Sequence, residues 1–140
     1  MNREGGCACG RVRFVTRGDP LRVGICHCLT CRKRHGAPFN AYAAFEAGQV
    51  RVRGELACWP TGEHGREWGC GVCGSPVFWS DEREAEREVH LGAFDEPGPF
   101  TPQYEIWTVR REPWLPDFGL PGHERDRPPD AVYGVAEKTR

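Results

Sequence analysis

The sequence lacks a long apolar segment, an appreciable net charge and a strong helical periodicity. No run approaches the roughly 18 apolar residues of a membrane-spanning helix, and the first residues, MNREGG, lack the apolar stretch of a signal peptide. A formal net charge of -1 provides no global field that would attract nucleic acid or an anionic membrane. These absences predict a soluble cytoplasmic protein with no membrane partner, and they argue against nucleic acid as a partner.

Cysteine, in contrast, is abundant, with eight in 140 residues. Seven of them form three tight groups and only Cys58 stands alone, whereas disulfide partners are usually scattered along a chain. In a reducing compartment such groups supply metal-binding thiolates more often than a disulfide framework. The three groups are Cys7-Ala-Cys9, Cys26-His-Cys28-Leu-Thr-Cys31 and Cys70-Gly-Val-Cys73.

Apolar and polar residues alternate over runs of four to six, as in short strands with one face inward and one in water. Val12 and Phe14, for example, alternate with Arg11 and Arg13. We therefore predict a mainly β, antiparallel fold. The candidate strands are 11–15, 21–25, 40–45, 49–53, 55–59, 76–80, 89–94 and 104–109.

The composition changes after Trp114, where prolines recur among charged residues. We expect one zinc-binding domain over residues 1–116 and a Pro-rich tail over residues 117–140, draped over the surface or disordered at its end. Segment 81–88, DEREAERE, has almost no apolar face and is predicted to be a solvated hairpin connection.

The first and last cysteine groups together provide four thiolates, the number that a closed structural zinc site requires. Tetrahedral zinc–sulfur bonds of about 2.3 Å place the sulfurs about 3.8 Å apart, so the chain must bend between Cys7 and Cys9. Gly5, Gly6 and Gly10 allow that bend, and the two-residue gap from Cys70 to Cys73 suits a metal-binding turn. Two unrelated dithiols, or a four-cysteine iron centre, are the alternatives.

The middle group, Cys26, Cys28 and Cys31, provides only three ligands. Three protein ligands and an open fourth position are typical of a catalytic zinc, where a thiol substrate could bind. If the chain is extended here, the side chain of His27 points away from the sulfurs. Cys58 is interpreted as a small core residue, and the histidines at 35, 64, 90 and 123 as surface or core residues rather than ligands.

A short basic run, Arg32-Lys33-Arg34-His35, follows Cys31. It could bind the carboxylates of an anionic substrate, contact phosphate, or form a solvated turn. Its place beside the open site favours substrate binding, which we assign to Arg32 and Lys33.

These motifs together resemble the family of glutathione-dependent formaldehyde-activating enzymes, whose relatives include a vertebrate centromere protein. The resemblance covers residues 5–115. It departs from the family pattern in segment 102–107, where many members carry a histidine and this chain has none. The matching segments are GGCACGRVRF at 5–14, CHCLTCRKRHGAPF at 26–39, CGVCGSPVF at 70–78, LGAFDEP at 91–97 and Trp114.

The resemblance implies a β-tent fold with two zinc ions per chain. Cys7, Cys9, Cys70 and Cys73 would hold the structural ion, and Cys26, Cys28 and Cys31 a labile one at the active site. It further implies carbon–sulfur lyase-type chemistry, in which formaldehyde condenses with the glutathione thiol to give S-hydroxymethylglutathione. Two other interpretations stay open, a non-catalytic zinc-binding module and a carrier that holds a thiol adduct without turning it over.

Overall fold

The computed structural model describes residues 1–134, which form two β-sheets, one short α-helix and three 3₁₀ turns. The predicted mainly β, antiparallel fold is confirmed. No helix in this described part of the chain is both long and apolar enough to cross a membrane. The strands are β1 (Asn2–Gly6), β2 (Arg13–Arg17), β3 (Arg22–Cys26), β4 (Asn40–Glu46), β5 (Val50–Arg53), β6 (Leu56–Thr61), β7 (Gly65–Cys70), β8 (Pro76–Asp81), β9 (Glu86–His90) and β10 (Tyr104–Ile106).

The smaller sheet has the order β1-β2-β5, and the larger sheet has the order β10-β3-β4-β9-β8-β7-β6. Every pairing is antiparallel except that of β10 with β3, where Glu105 lies opposite Ile25. The main core fills the space between the two sheets. Its buried members are Cys7, Val12, Phe14, Val23, Ala43, Phe45, Val50, Cys70, Val77, Phe78, Val89, Ala93, Phe94 and Phe100.

Each of the eight predicted segments overlaps a strand, but several boundaries differ. Strand β9 ends at His90 and is followed by a 3₁₀ turn, Leu91–Ala93, rather than continuing to residue 94. Segment 104–109 likewise leaves the sheet after Ile106. Of the connection predicted over 81–88, only residues 82–85 link β8 to β9, because Asp81 ends β8 and residues 86–88 belong to β9.

Three elements were not predicted: β1, β7 and the helix α1 (Leu29–His35). β1 and β7 contain glycines and charged residues that hide a strand pattern, and α1 buries no residue fully and therefore has no apolar stripe. The interpretation of Cys58 as a core residue is wrong, because the structure exposes it on β6, an edge strand of the larger sheet.

The segment after Trp114 runs along the edge strand β10 as far as the structure describes it. Glu105 donates its backbone N–H to Pro121 O and accepts one from His123, and the ring of Tyr133 stacks on Tyr104 with centroids 4.1 Å apart. Residues 135–140 of the predicted tail lie outside the described residues.

Gly5, on β1, packs against the 3₁₀ turn that follows β9, and Gly5 forms an isolated β-bridge with Phe94. A Cβ atom built there would lie 2.2 Å from the carbonyl oxygen of Ala93 and 2.4 Å from the ring of Phe14. Since both neighbours belong to the packed core, neither can yield without disturbing it.

We therefore expect Gly5→Ala to lower the free energy of unfolding by about 1–3 kcal/mol, measured by urea denaturation. Gly48→Ala is the matched control, because no atom lies within 4 Å of a Cβ built there and its φ is not positive. Equal stabilities of the two variants would contradict the packing described for Gly5.

Candidate metal centres and a shared pocket

The four outer cysteines converge at one point between the two sheets. Cys7 and Cys9 follow β1, Cys70 ends β7 and Cys73 lies in the turn that leads to β8. Their sulfurs all lie within 4.8 Å of one another, with 3.5 Å from Cys7 to Cys9 and 3.7 Å from Cys9 to Cys70. These separations approach the about 3.8 Å expected around one tetrahedral zinc, so the four sulfurs could hold a metal ion.

The surroundings of this cluster lower the pKa of Cys7 and Cys73 but raise that of Cys9 to about 11. The Cys70 sulfur accepts backbone N–H bonds from Val72 and Cys73, and the Cys7 sulfur accepts one from Val12. The hydroxyl of Ser75, 3.2 Å from the Cys73 sulfur, lowers the pKa of Cys73 to about 5. All eight cysteines are free thiols, and ligation of a metal requires them as thiolates.

The middle group lies where β3 passes into α1. Cys26 ends the strand, Cys28 caps the helix and Cys31 lies one turn into it. The three sulfurs lie within 4.8 Å of one another, and the Cys28 sulfur also accepts the backbone N–H of Cys31. Hydrogen bonds from the Cys26 and Cys31 side chains hold the pKa of Cys28 far below its usual value. This group could therefore hold a cation as well.

His27 points away from the three sulfurs, as the extended chain predicted. It is fully buried, and its Nε2 lies 2.7 Å from Oε1 of Glu105 on β10. Arg111 donates to the same carboxylate at 3.2 Å. This buried pair joins the cysteine loop to the edge strand and so fixes the backbone between Cys26 and Cys28.

A cavity of about 300 Å³ opens beside the middle group. Its size lies at the lower end of the range for small-molecule sites. Trp107, in its wall, has a φ of +58° and is the one non-glycine residue with positive φ in the described chain. Backbone strain of this kind often accompanies a functional site. Other residues of the wall include Cys26, Cys28, Cys31, Arg34, His35, Asn40, Tyr42, Glu67, Glu88, His90, Ile106 and Asp126.

The basic run divides between two surfaces. Arg34 lines the cavity, since it lies three residues after Cys31 and so on the same helical face. Arg32 and Lys33 instead line a separate shallow surface depression, where Arg32 forms an ion pair with Glu112 and donates to the carbonyl of Arg110. The structure thus does not bring Arg32 and Lys33, which we assigned to substrate binding, to the cysteine pocket.

Three residues that the sequence analysis left unconnected also meet in the pocket. One donor atom each from His35, Glu67 and His90 lies within 4.8 Å of the other two. The i, i+4 spacing of Cys31 and His35 could have placed His35 beside the cysteines, but only if α1 had been predicted. No sequence signal connects Glu67 with His90, because they lie on strands β7 and β9 with β8 between them.

Replacing one sulfur of the outer cluster tests whether that cluster holds the fold. We expect Cys70→Ser to lower the unfolding temperature sharply and to release one metal ion per chain, because a structural zinc contributes on the order of 10 kcal/mol to folding. Calorimetry and elemental analysis measure the two effects. Cys58→Ser, at the exposed cysteine, is the control and should change neither; equal behaviour of both variants would exclude a structural ion here.

Comparison with known proteins supports the fold and the resemblance. A search of curated proteins found no significant match. A crystal structure of a Rhodobacter sphaeroides protein is similar in fold, with a TM-score of 0.56 and 23% sequence identity over 69% of this chain and 91% of that one. The sequence profile of the family described as glutathione-dependent formaldehyde-activating enzyme matches residues 2–110. Since this match covers well over half of the sequence, the chain belongs to the glutathione-dependent formaldehyde-activating enzyme family.

Proposed function

We propose that the protein is a zinc-dependent carbon–sulfur lyase-type enzyme that forms and cleaves S-hydroxymethylglutathione in the pocket beside Cys26, Cys28 and Cys31. Family membership supports a formaldehyde-activating, glutathione-related function. The observation that carries the specific proposal is the pairing, in one cavity, of three clustered thiols with Arg34, two of whose guanidinium nitrogens have no hydrogen-bond partner among the described residues.

Arg34 is the group that would bind a carboxylate of glutathione. Its Nε and Nη2 are buried and have no hydrogen-bond partner among the described residues. These two atoms form one edge of the guanidinium, the arrangement that binds a carboxylate through two parallel hydrogen bonds. Its guanidinium carbon lies 5.7 Å from the ring centre of Trp59, which supports the charged group from one side.

Cys26, Cys28 and Cys31 would hold the functional zinc, and Cys7, Cys9, Cys70 and Cys73 the structural one. A zinc ion with three thiolate ligands and a free fourth position lowers the pKa of a thiol that binds there. The buried pair of His27 and Glu105 fixes the loop that carries the three cysteines. Trp107 and Ile106 provide an apolar wall that keeps water away from the thiol.

The reaction adds the glutathione sulfur to the carbon of formaldehyde. A carbon–sulfur bond forms, the carbonyl π electrons move to oxygen, and that oxygen takes a proton in exchange for the one lost by the thiol. Tyr42 lines the pocket, and its hydroxyl lies 2.6 Å from that of Tyr104. When Tyr104 is the donor of that hydrogen bond, the Tyr42 hydroxyl is left to donate to the developing oxyanion. Cleavage follows the same steps in reverse.

The role of Arg34 predicts a substrate-dependent effect. We expect Arg34→Ala to raise the KM for glutathione by about 10- to 100-fold, the value of a lost charge-assisted hydrogen bond of about 1.5–3 kcal/mol. With mercaptoethanol, which has no carboxylate, the same variant should match the wild type. The rate is measured after subtraction of the uncatalysed reaction.

Lys33→Ala is the matched control, because Lys33 lies on the same helix but faces the other depression. Its KM for glutathione should equal that of the wild type. A raised KM in Lys33→Ala together with a normal one in Arg34→Ala would return substrate binding to the basic residues that the sequence favoured.

A second prediction concerns Cys28, which contacts both other sulfurs of the middle group. Cys28→Ser should hold one zinc ion fewer than the wild type and should not accelerate the reaction beyond its uncatalysed rate. Its unfolding temperature should stay near that of the wild type. Elemental analysis, the formaldehyde assay and calorimetry measure these effects. Glutathione binding by the wild type at stoichiometric ratio, without any rate above the blank, would identify a carrier instead of an enzyme.

A further inference from the structure

The pocket contains a second group of donor atoms in addition to the thiols. His35 ends α1, Glu67 lies in the middle of β7 and His90 ends β9, so three separate elements direct their side chains to one point. One donor atom from each lies within 4.8 Å of the other two. We refer to these three residues as the His-Glu-His cluster.

Burial makes this cluster unusual. Glu67 and His90 are 4% and 5% exposed, and His35 is half-buried. Oε1 of Glu67 lies 2.6 Å from Nε2 of His90, and that is its one hydrogen bond among the described residues. A buried carboxylate is costly unless a cation or several hydrogen bonds compensate it. Glu67 therefore has capacity for a further positive partner.

His35 provides a neutral nitrogen donor. Its ring lies edge-on to that of His90, with centroids 4.4 Å apart and an angle of 74°. Burial, and next the neighbouring His90, lower the pKa of His35 to about 4. The imidazole is thus uncharged at neutral pH, the form in which histidine binds a metal.

Asn40 orients His90 from the opposite side. Its side-chain amide lies 3.0 Å from Nδ1 of His90. When Nε2 binds an ion, the ring proton moves to Nδ1, where the amide oxygen of Asn40 accepts it after rotation of the amide group. An outer hydrogen bond of this kind is common behind metal-binding histidines.

From these observations we infer that the His-Glu-His cluster is a third metal site, for a divalent first-row transition ion such as zinc. Two imidazoles and one carboxylate suit such an ion, and the fourth position faces the cavity. Ligand atoms on a tetrahedral zinc are separated by about 3.4 Å, so the three donors need to shift by only about 1 Å. The inference goes beyond the thiol chemistry proposed above and does not depend on it.

The test is metal stoichiometry. The protein is reconstituted with zinc, desalted and analysed for zinc per chain. We expect Glu67→Gln and His35→Ala each to hold one ion fewer than the wild type. Glu67→Gln preserves side-chain shape and its amide oxygen still accepts from His90, so the fold is expected to remain.

Matched controls lie in the turn between β6 and β7. Glu63→Gln and His64→Ala make the same chemical changes outside the pocket and should keep the full metal content. Asn40→Ala should weaken binding of the third ion by about 10- to 100-fold, as loss of an outer hydrogen bond does. Equal zinc contents in the wild type, Glu67→Gln and His35→Ala would overturn the inference.

Titration with cobalt separates this site from the cysteine sites. Cobalt bound to thiolates gives intense charge-transfer absorption. The His-Glu-His cluster contains no thiolate, so a cobalt ion bound there adds only weak ligand-field bands. In Cys28→Ser the thiolate absorption should fall while the third equivalent still binds. Loss of that equivalent in Cys28→Ser would show that the cluster is not a separate site. Neither outcome depends on whether the protein turns over glutathione.

Discussion

The convergence of four sulfurs between the two sheets is the constraint on which the rest of the structure depends. Cys9 and Cys70 are separated by 61 positions, yet their sulfurs lie 3.7 Å apart. This contact ties β1 of the smaller sheet to β7 of the larger sheet and brings Gly5 against the 3₁₀ turn after β9. Four thiolates at such distances repel one another unless protons or a cation compensate them, so the geometry that closes the fold could also hold a metal ion.

All seven strands of the larger sheet contribute residues to the wall of the pocket. The middle cysteines lie where β3 meets α1, and the buried pair of His27 and Glu105 connects that junction to β10. Strand β10 is in turn covered by the segment that includes His123 and Tyr133. The residues after 116 therefore contribute directly to the surroundings of the cysteine site. Asp126 lines the pocket and accepts a hydrogen bond from the indole of Trp107, another residue of the pocket wall.

Two kinds of donor share this pocket. The sulfurs of Cys26, Cys28 and Cys31 are soft ligands, whereas the His-Glu-His cluster offers nitrogen and oxygen. Arg34 adds a positive charge, and the buried Glu67 a negative one, within a cavity of about 300 Å³. In such a small, largely buried space each charge acts on its neighbours more strongly than it would in water. A thiol, a carbonyl and a carboxylate would therefore each find a distinct set of partners there.

The sequence by itself determined the elements whose pattern is local. Spacing within the three cysteine groups predicted metal-ligating thiols, and alternation of apolar residues predicted most strands and the fold class, because both depend on residues close together in the chain. The joining of Cys7 and Cys9 to Cys70 and Cys73 was inferred instead from the four ligands that a structural zinc requires. Tertiary structure decided the rest. α1 has no apolar stripe, so only the folded chain shows that Arg34 faces the pocket while Lys33 does not. Glu67 and His90 become neighbours only because β7 and β9 both pair with β8, a long-range pairing that no local pattern records.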